Sequence, residues 1–297
     1  MSHTRAAALM VVVTLMWSIA GVVTRHLEAA RAFEVTFWRS AFNAAFLTLA
    51  LSLWRGRALW QALAQGGWPL WVSGVMWSIM YTCFMVALTL TTVANVLVTM
   101  ALAPLVTALV ARLALGQRLP SRTWVAIALA GTGIAWMYGS EVSGADARHL
   151  AGTLVALGVP LAAAVNWTVI QRSGQPRTGA AAQDMLPAVL IGALLSSLVS
   201  LPLAWPLQAS GHDLGWLAVL GVFQLAIPCL LAVRLARVLP AAEVALLGLL
   251  EVVFGVAWAW LGAGEAPNVH VLCGGALVLL ALAGNEALGL RRVRQGR

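Results

Sequence analysis

Lysine is absent from this chain, and charge of any sign is scarce: only 9% of its 297 residues are charged. A soluble domain carries roughly 25% charged residues because its surface faces water. A chain with so few must turn most of its surface to lipid. Also missing is the glycine-rich G-x-x-x-x-G-K-[ST] loop that cradles nucleotide phosphates, which argues against direct use of ATP by this chain. The three cysteines, Cys83, Cys229 and Cys273, lie inside apolar runs at no metal or redox spacing and read as small packing residues. The five histidines sit in tails, loops or the ends of apolar runs, so neither a mid-membrane haem pair nor a metal cluster can be assembled from them. No cofactor and no metal is expected. The net charge of +8 comes from Arg at the ends of apolar runs, not from a basic block with interleaved polar residues, and nucleic acid is excluded as a partner.

What the chain has instead is apolar length: 61% hydrophobic residues and a mean hydropathy of +0.90. Runs long enough to cross a bilayer, each about 20 residues, recur with short polar breaks. They fall at roughly 6–27, 32–54, 68–90, 92–115, 122–139, 150–170, 182–203, 214–236, 240–262 and 268–290. The expected fold is an all-α integral membrane protein of ten transmembrane helices. The first run, preceded by a single Arg, is read as an uncleaved first helix and not a secretory signal.

Orientation follows from arginine. With the N-terminus in the cytoplasm, the cytoplasmic ends collect Arg5, Arg55, Arg57, Arg112, Arg118, Arg122, Arg172, Arg177, Arg234, Arg237, Arg291, Arg292, Arg294 and Arg297. The outer side holds only Arg25, Arg31 and Arg148, while Arg39 falls inside a run. Such a bias places both termini in the cytoplasm of a bacterial inner membrane. Acids lean outward: Glu28, Glu141, Asp146, Asp213 and Glu265. The lipid bilayer is thus a partner; the oligomeric state is not legible.

The chain also resembles itself. Thr92-Val-Ala-Asn95 with Leu115-Gly-Gln-Arg118 is similar to Pro240-Ala-Ala-Glu243 with Ala263-Gly-Glu265-Ala266: a short turn opens each run and a glycine turn closes it. Five runs per copy is odd, so the second copy enters the membrane upside down. The expected organisation is a first five-helix repeat over 1–139, an inverted second over 150–290, and a basic tail over 291–297. In inverted repeats of this kind the substrate site lies near the midplane between the halves.

These segments carry a family resemblance that covers nearly the whole chain. Phe37-Trp-Arg39-Ser-Ala-Phe42, Ala87-Leu-Thr-Leu-Thr-Thr-Val-Ala94, Leu102-Ala-Pro104 and Leu115-Gly-Gln-Arg-Leu119 resemble motifs of the EamA family of the drug/metabolite transporter superfamily. Leu235-Ala-Arg-Val-Leu-Pro-Ala-Ala-Glu243, Leu250-Glu-Val-Val-Phe254 and Gly264-Glu265 resemble the second copy. The resemblance implies a ten-helix bundle that exports or exchanges small metabolites, often amino acids or related compounds. Two positions depart from the pattern. Gln117 stands where the family usually has an acid, which weakens a charge role there. Val252 follows Glu251 where the family usually has proline, which predicts a straighter ninth helix.

Polar residues inside the runs are the candidate substrate-binding set: Glu251, Trp17, Trp77, Tyr81, Gln224, Asn166, Trp167, Arg39, Asn95 and Trp258. Glu251 stands mid-run with Gly248, Gly255, Trp258 and Gly262 on the same helical face. An ionisable group there costs a few kcal/mol on insertion scales and must face the interior or water. It either binds substrate or a proton, or is a buried structural acid. Arg39 either binds a carboxylate with its planar fork, or snorkels to the interface, or pairs with Glu34. Trp17 and Ser18 in the first run, and Trp77, Ser78 and Tyr81 in the third, form stripes away from the interface where aromatics normally anchor. Asn95, Asn166 and Gln224 either touch substrate or join helices. Pro104, Pro160 and Pro228 can kink their helices.

A secondary transporter working by alternating access is the reading that fits. It is coupled through protonation of Glu251 or driven passively by the substrate gradient. An organic-cation or drug exporter of the same fold is the alternative, using Glu251 and aromatic faces. A membrane-embedded enzyme lacks any catalytic constellation, and a channel would want repeated charge rings. With Arg39 near a carboxylate and Glu251 near an amine, the substrate would be a zwitterion. That reading predicts that Arg39→Ala and Glu251→Gln each abolish binding and transport in a purified preparation; if both variants keep both, it is wrong.

Overall fold

The structure, a computed structural model, describes residues 1–24, 26–30, 32–91, 93–139, 147–174, 183–263 and 269–295. Thr92, Arg25, Arg31, Glu141, Asp146, Arg177, Gly264, Glu265, Ala266 and Arg297 lie outside the described residues. Among those described there is helix and no strand. Seven helical stretches are long and apolar enough to cross a membrane, and Val269–Asn285 is a shorter apolar helix. The chain is a multi-pass membrane protein.

The described residues of the apolar runs are helical, several of the runs in pieces. The first is α1 (His3–Trp17) and α2 (Ala20–Thr24); the second is α3 (Ala32–Arg55). Next comes α4 (Arg57–Ala64), where the sequence had suggested a loop. It is a short amphipathic helix that buries Leu59 and leaves Trp60 exposed. With exposed Trp54, Trp68 and Trp71 nearby it forms an aromatic belt of the kind that sits at a membrane surface. Then follow α5 (Trp68–Leu90), α6 (Val93–Met100) with α7 (Ala103–Leu115), α8 (Ser121–Tyr138) and α9 (Ala147–Gly174). The remainder is α10 (Leu186–Ala204), α11 (Gly211–Val219), a π-helical turn (Leu220–Ala226), α12 (Ile227–Leu235), α13 (Ala241–Gly248), α14 (Leu250–Ala263) and α15 (Val269–Gln295). The Leu115-Gly turn works as a helix stop: Gly116 caps α7 with φ of 65°, a left-handed conformation in which a Cβ would be strained.

Each interruption has a local cause. In the first run Thr14 and Ser18 hydroxyls donate back to the Val11 and Leu15 carbonyls at 2.8 and 2.7 Å, competing with the helix ladder just before Ser18–Ile19. Pro104 has no N–H and its ring crowds the carbonyl of Met100, so α6 ends there. Pro228 does the same to Gln224, and the ladder loosens into π geometry, with Ile227 N–H bonded to the Val222 carbonyl. The ninth run corrects an expectation. It lacks the proline, yet it is not straight: three-residue bonds from Leu249 N–H to Leu246 and from Val252 N–H to Leu249 separate α13 from α14. Pro160, by contrast, is held inside a continuous α9.

Close crossings set the bundle. α5 packs on α9 and α10, α10 also on α3, and α8 pairs with α15. At the α5–α10 crossing, a Cβ on Gly192 would collide with Trp77 and stand 3.0 Å from the Gly74 carbonyl. At the α8–α15 crossing a Cβ on Gly133 would stand 2.7 Å from the Gly274 carbonyl. Small residues let backbones approach where lipid provides no hydrophobic drive.

Buried carboxylates fasten the loops. Asp213 accepts from the Glu28, Ala29 and Ala30 N–H groups at 2.8, 2.9 and 3.0 Å, and forms a capping box with Ser210. Glu34 accepts from Gln208 and Ala209 N–H, both at 2.7 Å, so it is not the partner of Arg39. At the opposite, Arg-rich end, Asp184 pairs with Arg55 and with Arg237 at 3.4 Å, and His3 meets Glu243 at 2.9 Å. Gly192→Val is expected to overpack the α5–α10 crossing and cost about 1–3 kcal/mol, read as a lower melting temperature in detergent. Gly131→Ala, with open space around its Cβ, should leave melting unchanged.

Candidate functional site

All four interruptions border one cavity of about 150 Å³. Trp17, the last residue of α1, lines it. So do Met100 and Ala103 on either side of the α6–α7 break, Gln224 from the π-helical turn, and Gly248, Leu249 and Glu251 around the α13–α14 break. Unbroken α5 supplies Trp77, Tyr81 and Phe84, α9 supplies Val159, Ala163 and Trp167, and α3 supplies Arg39. A broken helix frees backbone groups, and such backbone is tolerated at membrane depth only where protein or a cavity covers it.

Seven of the ten residues singled out in the sequence therefore share one wall: Glu251, Trp17, Trp77, Tyr81, Gln224, Trp167 and Arg39. Aromatic faces dominate it. Trp77 and Trp167 meet edge to face with ring centroids 5.3 Å apart, and Trp77 and Tyr81 lie 5.5 Å apart. Arg39 is 3% exposed, so it does not snorkel; it donates one bond to the Tyr81 carbonyl at 3.2 Å, and its Nε has no partner. Glu251 is half-buried, makes no ion pair within 4.0 Å among the described residues, and interacts electrostatically with Arg39. The two opposite charges thus share a cavity without closing on each other. Gln224 spends its N–H on the Trp17 carbonyl at 3.2 Å, a group orphaned by the end of α1, and leaves its own oxygen unpartnered.

Three of the ten are not on the wall. Asn166 accepts from the Ser73 hydroxyl at 2.6 Å and joins α9 to α5. Asn95 donates to Thr91 at 2.6 Å beside the α5–α6 turn. Trp258 donates to the Ser18 hydroxyl at 3.0 Å, tying α14 to the α1 break. Cys229, read as mere packing, is buried and lines the cavity beside Tyr81 and Trp17. Its place next to Pro228, downstream of the π-helical turn, was the signal available for it.

α13 packs against α7, α9 and α1, and its Glu243 meets His3 at the Arg-rich end. Among the described residues no comparably close packing joins α6 to α14. Among the described residues no cluster of His, Cys, Asp and Glu could hold a metal ion.

A model of the EamA-like transporter family matches the chain twice, over residues 4–139 and 150–285. The pseudopaline exporter CntI of Pseudomonas aeruginosa strain UCBPP-PA14 is similar at 25% identity, over 97% of this chain and 96% of that protein. The pseudopaline exporter CntI of strain PAO1 is similar to the same extent. A solved crystal structure aligns with a TM-score of 0.80 at 20% identity, covering 97% of this chain and 99% of its own, which shows the fold.

Two adjacent residues of α9 should behave oppositely. Asn166→Ala leaves the buried Ser73 hydroxyl without its acceptor and should cost about 1–3 kcal/mol of stability, with ligand affinity unchanged. Trp167→Ala should weaken ligand binding by about tenfold or more, the loss of one stacked aromatic wall. Thermal melting and ligand titration on the two purified variants separate the effects.

Proposed function

The chain belongs to the EamA-like transporter family, and from that premise we propose that it is a secondary transporter exporting a small metabolite, such as an amino acid or related amine, by alternating access. The observation that carries this reading is the convergence of four helix breaks on one cavity that holds Arg39 and Glu251 apart. Discontinuous helices are where transporters bind substrate, because half-helix ends and freed backbone provide fixed dipoles. The similar CntI proteins are exporters, which supports outward movement.

The ten helical runs and the two matched stretches support two five-helix repeats related by inversion, with the cavity between them. On that reading and with both termini in the cytoplasm, the Arg-rich end faces inward. The His3–Glu243 and Arg55–Asp184 pairs then join the first half to the second at that end. Breaking them while the α6 and α14 sides approach would expose the cavity to the cytoplasm. Glu251, which makes no ion pair among the described residues, is the group that would take up a coupling proton.

A cavity of about 150 Å³ is small beside the roughly 300–1,000 Å³ of drug-sized sites. An exporter of bulky organic cations fits it less well, and the buried Arg39 opposes a cation directly. The test is a thermal-shift screen of purified protein against amino acids, polyamines, nucleobases and quaternary amines, followed by counterflow of each hit in proteoliposomes. An amino acid or small amine that stabilises the protein, is counter-transported, and loses both properties with Glu251→Gln supports the proposal. Counterflow of quaternary amines alone would replace it with the organic-cation reading.

A further inference from the structure

Three buried polar side chains meet at the junction of α3, α5 and the π-helical turn, and each keeps polar atoms without a hydrogen-bond partner among the described residues. Arg39 is 3%, Asn43 0% and Tyr81 4% exposed. Asn43 lies one helical turn after Arg39 on the same face of α3. The Tyr81 hydroxyl lies beside the Asn43 amide and the Cys229 thiol, but meets no hydrogen-bond geometry with either. Among the described residues Arg39 Nε, both amide atoms of Asn43 and the Tyr81 hydroxyl meet no hydrogen-bond partner.

Such a cluster is costly unless something occupies it. A buried donor without a partner loses its full hydration, and more than nine in ten buried polar groups are satisfied in folded proteins. The three groups are also held in place. Gly221 of the π-helical turn presses on this stretch of α3: a Cβ there would stand 2.8 Å from the Arg39 carbonyl and 2.9 Å from the Asn43 N–H nitrogen. The loosened helix thus butts against the turn that carries Arg39 and Asn43. Arg39 and Tyr81 are at the same time part of the cavity wall.

We propose that Arg39, Asn43 and Tyr81 form a carboxylate subsite of the central cavity, so that the transported compounds are carboxylates and not simple amines. The proposal rests on the transporter reading above and adds a class requirement to it. The donors are N–H groups of Arg39 and Asn43 and the hydroxyl of Tyr81. A carboxylate offers two oxygens with about four lone-pair positions and no proton, which matches a donor set of this kind. A simple ammonium can donate to the Asn43 amide oxygen or the Tyr81 hydroxyl, but it has no acceptor for the Arg39 Nε–H or the Asn43 NH2 and would add a positive charge near Arg39. Discrimination by leaving a site's buried polar groups unpaired is steep, reaching about 10⁴-fold where a site is built for the missing group.

Two measurements test it. The first needs no ligand: if Asn43 serves the substrate and not the fold, Asn43→Leu, which removes an unsatisfied buried amide at similar volume, should leave the ligand-free protein melting at the same temperature or higher. Asn43→Ala controls for the shape of leucine. Lower melting for both variants means that the amide is satisfied within the protein or by a fixed water, and overturns the subsite.

The second compares matched acids and amines: phenylalanine with phenethylamine, leucine with isoamylamine, histidine with histamine. Counterflow in proteoliposomes should favour the acid of at least one pair by tenfold or more. Arg39→Gln and Asn43→Leu should each remove that preference. Amines carried as well as their acids would overturn the subsite while leaving the transporter reading intact. Counterflow of none of these compounds, nor of any in the wider screen, would overturn both.

Discussion

A peptide group inside lipid has no water to bond, and every interruption of a spanning helix must therefore be covered from within the protein. The rest of this structure follows from how that demand is met. The chain breaks its helices at Ser18–Ile19, at Ala101–Leu102, through 220–226 and at Leu249, and gathers all four breaks round one cavity. Side chains then repair the losses. Gln224 bonds the freed Trp17 carbonyl, and Trp258 holds the Ser18 hydroxyl that bends α1 away from its own ladder. The polar residues that look most like a binding site are thus partly engaged in keeping broken helices intact, and what they leave over is available to a ligand.

Charge is distributed by the same logic. Asp213 and Glu34 are fully buried, but each accepts backbone N–H groups from a loop of the other half of the chain, so their charge is stabilised by fixed dipoles. Asp184 and Glu243 at the other end are engaged by Arg55, Arg237 and His3. Arg39 and Glu251 are different: both reach the cavity, and among the described residues neither makes an ion pair within 4.0 Å. In a low-dielectric interior an unpaired charge is expensive, because Coulomb and solvation terms are weakly screened there. Structural ion pairs relieve that cost by closing up. A pair held apart relieves it only when something lies between.

Much of the fold was legible because lipid makes strong demands of sequence. Twenty-residue apolar runs, arginines at one set of ends and the paired motifs gave the helices and the family before any coordinates. The breaks were less legible. Pro104 and Pro228 announced theirs; Pro160 announced one that α9 does not make, and the α13–α14 break occurs without proline at all, since a glycine and a few three-residue bonds suffice. Helix α4 escaped notice because eight amphipathic residues are too short to register as a span and too apolar on one face to read as loop.

The site shows where sequence stops. Its mid-run position required that Glu251 face the interior or water, and spacing put Trp77 and Tyr81 on one helical face, but whether Arg39 faces inward or snorkels was left to the fold. Sequence could not tell Asn166 from Trp167, adjacent on α9, of which one joins helices and the other lines the cavity. Nor could it find Asn43, which lies beside Tyr81 of another helix. Which residues must leave lipid is a property of each side chain and its helix, and the chain states it locally. Which of them meet is decided by how helices cross, through contacts such as Gly221 on α3 and Gly192 on α5, and only the folded bundle contains that information.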